Sequence, residues 1–189
     1  MLNGLSFSMV LKADGTFQLD HQIHVAAPNA QVADGYKQII DGMEKFGDGF
    51  FSTWNIFMLT KPFPEPKSNY QLQSTGETYL LTYKDGQTDV KTNFNRDFSI
   101  ANLSALTSDF DSLVEPRFTK TPNGYVISGY SGHYTPASGA GKVVLDVQIA
   151  YVEVEGLQLP KRIHMKSTID GNPNVMEIEL SNYQVRKNN

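Results

Sequence analysis

The strongest constraint in this chain is hydrophobic alternation with a period of two, interrupted by residue pairs that accept positive φ. Leu5, Phe7, Met9 and Leu11 share one parity, with Ser6, Ser8 and Lys12 on the other. Asp14-Gly15 follows, a pair suited to a tight hairpin turn. Phe17, Leu19, Ile23 and Val25 then resume the apolar parity, opposite Gln18, Asp20, Gln22 and His24. Alternation on both sides of such a turn predicts a half-buried antiparallel hairpin.

The C-terminal third has the same grammar. Val143, Leu145, Val147, Ile149 and Tyr151 alternate up to Glu155-Gly156, and Leu157, Leu159, Ile163, Met165 and Ile169 form the next strand. Asp170-Gly171-Asn172-Pro173 reverses the chain again. Met176, Ile178 and Leu180 face inward and Glu177 and Glu179 outward. Tyr183 and Val185 fall on the opposite parity, which predicts a bulge near Ser181-Asn182. In the middle, Tyr70 and Leu72 begin one strand, and Tyr79, Leu81 and Tyr83 mark a second. Asp85-Gly86 leads to a more polar strand at 88–95, and Asn123-Gly124 joins strands at 117–120 and 124–134. The small residues of 131–142 predict a loop.

One segment departs from this period. From Asn29 to about Met58 the apolar residues are Tyr36, Ile39, Ile40, Met43, Phe46, Phe50, Trp54, Phe57 and Met58, the spacing of an amphipathic helix. Asn29 suits its N-cap. An unbroken helix of this length would run about 45 Å, so Gly47-Asp48-Gly49 is expected to break or bend it. Pro62, Pro64 and Pro66 then predict an extended linker. Phe50 and Phe51 are adjacent, so one of them is expected to leave the core for a pocket, an interface or a loop.

Size and composition narrow the possibilities further. A chain of 189 residues without a repeat or a shift in composition reads as one domain, 1–189. Folding at this size buries about two-thirds of the unfolded surface, enough for a core without staples. A net charge of −4, with Lys161 and Arg162 as the densest cationic cluster, argues against a nucleic-acid partner. The absence of cysteine excludes disulfides, thiolate metal sites and cysteine nucleophiles. The first residues, Met-Leu-Asn-Gly-Leu-Ser-Phe, have neither the basic start nor the cleavage site of a signal peptide.

Motifs for chemistry are weak. His21 and His24 lie three apart, on opposite faces of a strand, and His21 occupies an otherwise apolar parity, as a core-edge histidine does. His133 and His164 have no partner at a zinc-ligand spacing. Asp109 and Asp111 lack the glycine and closing glutamate of a calcium loop, which leaves helix or loop capping as their expected role. Gly139-Ala140-Gly141-Lys142 continues into Val143 and a strand rather than into a hydroxyl residue and a helix, so it is not a phosphate loop. No Gly-x-Ser-x-Gly elbow occurs, and Glu153 and Glu155 read as a solvated strand end. No catalytic residue, metal ligand or cofactor is therefore expected. The aromatic load of Phe46, Phe50, Phe51, Trp54, Phe57 and Met58 leaves two roles open, filling a core between helix and sheet or lining an apolar cavity.

The segment Tyr151-Val-Glu-Val-Glu-Gly-Leu-Gln-Leu-Pro160, followed by an alternating strand and by Leu180-Ser-Asn-Tyr-Gln-Val185, resembles the C-terminal strands of bacterial outer-membrane lipoprotein-sorting (lipoprotein carrier) proteins and their uncharacterised periplasmic relatives. The resemblance covers roughly residues 143–185, and it carries no acyl-binding residue across. It implies a periplasmic or otherwise exported domain whose signal, or first helix, lies outside this chain. It also implies an α+β fold, in which a curved antiparallel sheet (a half-barrel) has a helical segment packed on its concave face. The expected function is non-catalytic binding of a lipid or acyl chain in the cell envelope, with Trp54, Phe57, Phe7 and Phe17 as ligand-binding candidates. The rival expectation is an interaction or scaffold domain that docks an envelope protein, or a membrane surface, through the sheet face or an edge strand.

Overall fold

The computed structural model describes residues 5–12, 16–58, 63–64, 69–122 and 124–186. The chain is α+β and forms two compact units, Met1–Pro62 and Phe63–Asn189. The sequence marks that division with nothing sharper than the prolines. Of these only Pro64 is described, and the Asp14-Gly15 pair also lies outside the described residues.

In the first unit, β1 (Leu5–Leu11) pairs antiparallel with β2 (Phe17–Ile23), placing Phe7 opposite His21 and Leu11 opposite Phe17. The expected parity holds through β1, where Leu5, Phe7, Met9 and Leu11 are half-buried and Ser6 and Ser8 exposed. Helix α1 (Ala30–Met58) follows and packs on β2. Asn29 caps it as expected: its Oδ1 accepts the Val32 N–H at 3.0 Å, a contact worth about 1 kcal/mol.

The expected break at Gly47-Asp48-Gly49 does not occur. The helix is continuous over 29 residues, and the reason is packing. A Cβ on Gly47 would lie 2.3 Å from the Phe17 ring. The missing side chain thus makes the seat on which the ring rests. Two glycines cost a helix about 2 kcal/mol in propensity, and burial of Phe46, Phe50, Phe51 and Trp54 around that seat outweighs the cost.

The second unit is an uninterrupted antiparallel meander. Its strands are β3 (Tyr70–Ser74), β4 (Tyr79–Asp85), β5 (Thr88–Phe94), β6 (Ile100–Leu106), β7 (Phe110–Thr121), β8 (Gly124–Pro136), β9 (Val143–Val154), β10 (Leu157–Ile169) and β11 (Asn172–Glu179). Each pairs with its sequence neighbours, so β3 and β11 are the edges of an open nine-stranded sheet, in keeping with a half-barrel rather than a closed barrel. Register carries one largely apolar row from β3 to β9: Leu72, Leu81, Thr92, Leu103, Val114, Gly132 and Leu145 are successive cross-strand partners. Leu81, Phe94, Ile127, Val147 and Ile163 are almost wholly buried on this face. The opposite face carries the pairs Lys84–Asp89, Arg117–Asp146, Arg162–Glu179 and His164–Glu177. Apart from the half-buried His164 these side chains are exposed, and each pair contributes little.

Turn chemistry sets the register. Glu155 (φ 51) with Gly156 (φ 81), and Asp170 (φ 47) with Gly171 (φ 85), form the two-residue turns their sequences predict. Three expectations change. Residues 131–136 belong to β8, so the loop is confined to 137–142. There the Asp170 carboxylate accepts the N–H groups of Gly141 and Lys142, both at 2.9 Å. Strand β6 and the first half of β7 are additional, because Asn, Ser and Ala weaken their alternation. The bulge lies at Lys161 in β10 rather than at Ser181-Asn182. It shifts parity so that Pro160, not Leu159, faces with Ile163, and Leu157 is exposed instead of entering the core. The Leu180 N–H donates to the Lys161 carbonyl at 2.8 Å, which satisfies the residue left out of the ladder. Asn182 (φ 59) then turns the chain, and the Tyr183 hydroxyl donates to the Pro160 carbonyl.

Two predictions follow from these contacts. Gly47→Ala should destabilise the first unit by about 1–3 kcal/mol through overpacking, whereas Gly49→Ala, with open space at its Cβ, should stabilise it by about 1 kcal/mol. Urea unfolding followed by fluorescence of the single tryptophan separates the two. Burial pushes the Tyr183 hydroxyl up to about 12 from 10.0. The unfolded chain therefore ionises first as pH rises, and this contribution to stability is intact below pH 10 and lost between pH 10 and about 12. Tyr183→Phe should flatten that alkaline slope in pH-dependent denaturation.

Candidate functional site

The candidate site lies in the first unit, along one stripe of α1. Ala33, Tyr36, Lys37, Ile40, Gly47, Phe50 and Trp54 are related by spacings of three, four and seven and so share a helix face. Strand β2 runs along this stripe. Phe17 meets Gly47, while His21 and Ile23 reach the level of Ala33 to Ile40. The spacings agree: six strand residues span about 20 Å, close to the length of the helix between those levels.

The stripe differs sharply at its two ends. Around Gly47 it is closed by rings. Phe17 stacks on Phe51 at 5.0 Å and 18°, and Phe46 stacks on Phe50 at 5.6 Å. Phe51 meets the edges of Phe50 and of Trp54 at 5.0 and 6.4 Å. Phe50 and Phe51 are both buried, at 3% and 5% exposure, so neither leaves the core as adjacency suggested. Successive helix residues lie about 100° apart, and both can edge a wide apolar stripe.

Towards the helix N-terminus three alanines are interspersed with larger side chains, and the gap is not closed. A pocket of about 460 Å³ opens there, lined by His21, Ile23, Ala26, Ala27, Ala33, Tyr36, Lys37 and Ile40. Its volume falls within the range of small-molecule sites, about 300–1,000 Å³. Five alanines and isoleucines, from the end of β2, the chain leaving it and the helix, make the walls together with the Tyr36 ring, and the cation of Lys37 and the His21 imidazole stand beside them. His21 and Ile23 continue the inward parity of Phe17 and Leu19, yet both are exposed, because this part of β2 faces the opening. The odd placement of His21 in an apolar parity was the one sequence signal for the pocket. The alanines gave none, since Ala is equally common on solvent faces of helices.

Of the four candidates read from sequence, Phe17 and Trp54 belong to one cluster, joined through Phe51. Phe7 is half-buried in β1 opposite His21, and Phe57 is half-buried in the last turn of the helix. None of the four lines the pocket.

Elsewhere the polar side chains serve the fold. His24 is hydrogen-bonded to Ser6 at 2.7 Å, and His164 pairs with Glu177 at 3.4 Å. Asp109 sits in a turn held by the Thr107 hydroxyl, which accepts the Asp109 and Phe110 N–H groups. Glu153 accepts from Gln158 across the β9–β10 hairpin. Among the described residues no three His, Asp or Glu side chains gather closely enough to hold a metal ion, and no helix is long and apolar enough to cross a membrane. The chain matches no protein-family model, no curated protein and no solved structure.

Trp54, at 4% exposure, has little water to lose. Its emission should be that of a buried indole, resistant to quenching by iodide and acrylamide, and Phe51→Ala should open it to both while costing about 3–5 kcal/mol in stability.

Proposed function

We propose that this protein binds a hydrophobic ligand, a lipid or acyl chain, without catalysing a reaction on it. The observation that carries this reading is the pocket of about 460 Å³ at the N-terminal half of α1. Its apolar walls would take methylene groups, each contributing about 0.8 kcal/mol when removed from water. Lys37 and His21 beside them suit an anionic head group, so an acyl carboxylate fits the chemistry better than an uncharged lipid. The setting we infer is the bacterial cell envelope, on the strength of the likeness of β9 to β11 to lipoprotein-sorting proteins. The reading moves the ligand away from the aromatic quartet, whose Phe17 and Trp54 are engaged with Phe51, and on to the small residues beside it.

Calorimetric titration with palmitate, and with hexadecanol as its uncharged counterpart, tests this. Palmitate should bind saturably and more tightly than hexadecanol. Ala33→Phe, which fills the pocket, should abolish binding without lowering the melting temperature, and Lys37→Glu should remove the preference for the carboxylate. Absence of saturable binding, or binding indifferent to Ala33→Phe, overturns the reading. It would favour instead the docking of an apolar protein segment on Ile23 and Val25, which are 52% and 53% exposed beside the pocket.

A further inference from the structure

The two edges of the nine-stranded sheet are treated very differently. Strand β11 is guarded. Pro173 offers no N–H, and Glu177 and Glu179 carry charge. These are the usual devices that stop an edge from pairing with another strand. Strand β3, Tyr-Gln-Leu-Gln-Ser, has none of them. All five residues are exposed, none is proline, and no Asp, Glu, Lys or Arg is present. Tyr70 and Leu72 are each 48% exposed.

The hydrogen-bond phase shows which groups the edge offers. The Thr75 N–H donates to the Thr78 carbonyl at 2.9 Å. Antiparallel ladders alternate bonded and non-bonded pairs. With Gln73 opposite Leu80 and Gln71 opposite Thr82, the two glutamines therefore spend their backbone groups on β4. The N–H and C=O of Tyr70, Leu72 and Ser74 point outward. Their side chains all lie on the apolar face, in register with Tyr83, Leu81 and Tyr79.

We propose that β3 is a self-association edge, through which two copies of this chain pair antiparallel about a two-fold axis at Leu72. In that register Leu72 faces Leu72 of the second copy and exchanges both backbone hydrogen bonds with it. Tyr70 faces Ser74, large against small, and Gln71 faces Gln73, so their amides can bond side by side. A two-fold axis perpendicular to the sheet keeps like faces together, and the apolar face runs on across the join. The segment suits a second copy because it has no charge to repel itself, although each chain carries −4 overall. At the other edge, two copies of β11 would bring four glutamates together.

Sedimentation velocity over a concentration series tests this with the full chain. The expected result is reversible dimerisation, from 21.1 kDa to twice that mass. Tyr70→Lys and Ser74→Glu should each weaken the dimer by roughly ten-fold, and the double variant should regain it by placing opposite charges across the two-fold axis. Within one chain positions 70 and 74 are too far apart along the strand to pair, so this rescue reports the intermolecular register. Because the chain has no cysteine, Leu72→Cys should oxidise to a covalent dimer faster than Val175→Cys on β11. Circular dichroism checks that each variant is folded. A monomer at every concentration, a dimer indifferent to these charges, or equal crosslinking at both edges overturns the proposal.

Discussion

Everything in the larger unit depends on keeping side-chain parity in step across nine strands. A strand presents alternate residues to opposite faces, so a slip of one residue would turn a whole apolar set towards water. Two-residue turns such as Glu155-Gly156 and Asp170-Gly171 prevent this, because positive φ at both positions matches the twist of the strands they join. Where strand lengths do not match, an extra residue absorbs the difference. Ser128 does so in β8 and Lys161 in β10. At the first bulge Gly129 lets the neighbouring strand approach so closely that a Cβ would lie 2.1 Å from the Val147 carbonyl. Arg117 uses the opening, donating to that carbonyl and to Asp146, each at 2.7 Å.

The smaller unit solves a different problem with one contact. A two-stranded hairpin is marginal alone, and a single helix has nothing to bury its stripe against. The Phe17 ring seated on Gly47 joins them, and the stacked rings around it exclude water from the C-terminal half of the stripe. Because the closure uses large side chains at that end only, the alanines at the other end are left spanning a gap. The pocket lies beyond the end of the phenylalanine and tryptophan cluster.

Much of the fold was legible. The parity of β1, the Asn29 cap, the strands β9 and β11 and the alternation of β4 can be read residue by residue, since local chemistry and tertiary structure agree there. The reading failed where a local preference was overruled by a distant partner. Gly47 and Gly49 look like a helix break until Phe17 is placed on the helix. Leu157 and Leu159 look like core residues until the bulge at Lys161 turns them over. The candidate site was legible only at His21, because apolar small residues carry no signal that distinguishes a pocket wall from a solvated helix face.

By itself the sequence determined the class of the protein, the succession of hairpin, helix and antiparallel strands, and the faces of several of those strands, because periodicity and turn pairs are properties of neighbouring residues. Tertiary structure decided what neighbours could not. It kept the helix whole, put both Phe50 and Phe51 inside, opened the space beside Ala33, and made the uncharged, exposed β3 one edge of the sheet and the charged β11 the other. Each of these rests on contacts between residues distant in the chain, or on which strand ends up last in the sheet. Neither can be counted from composition or spacing, because both depend on how much room the folded partners leave one another.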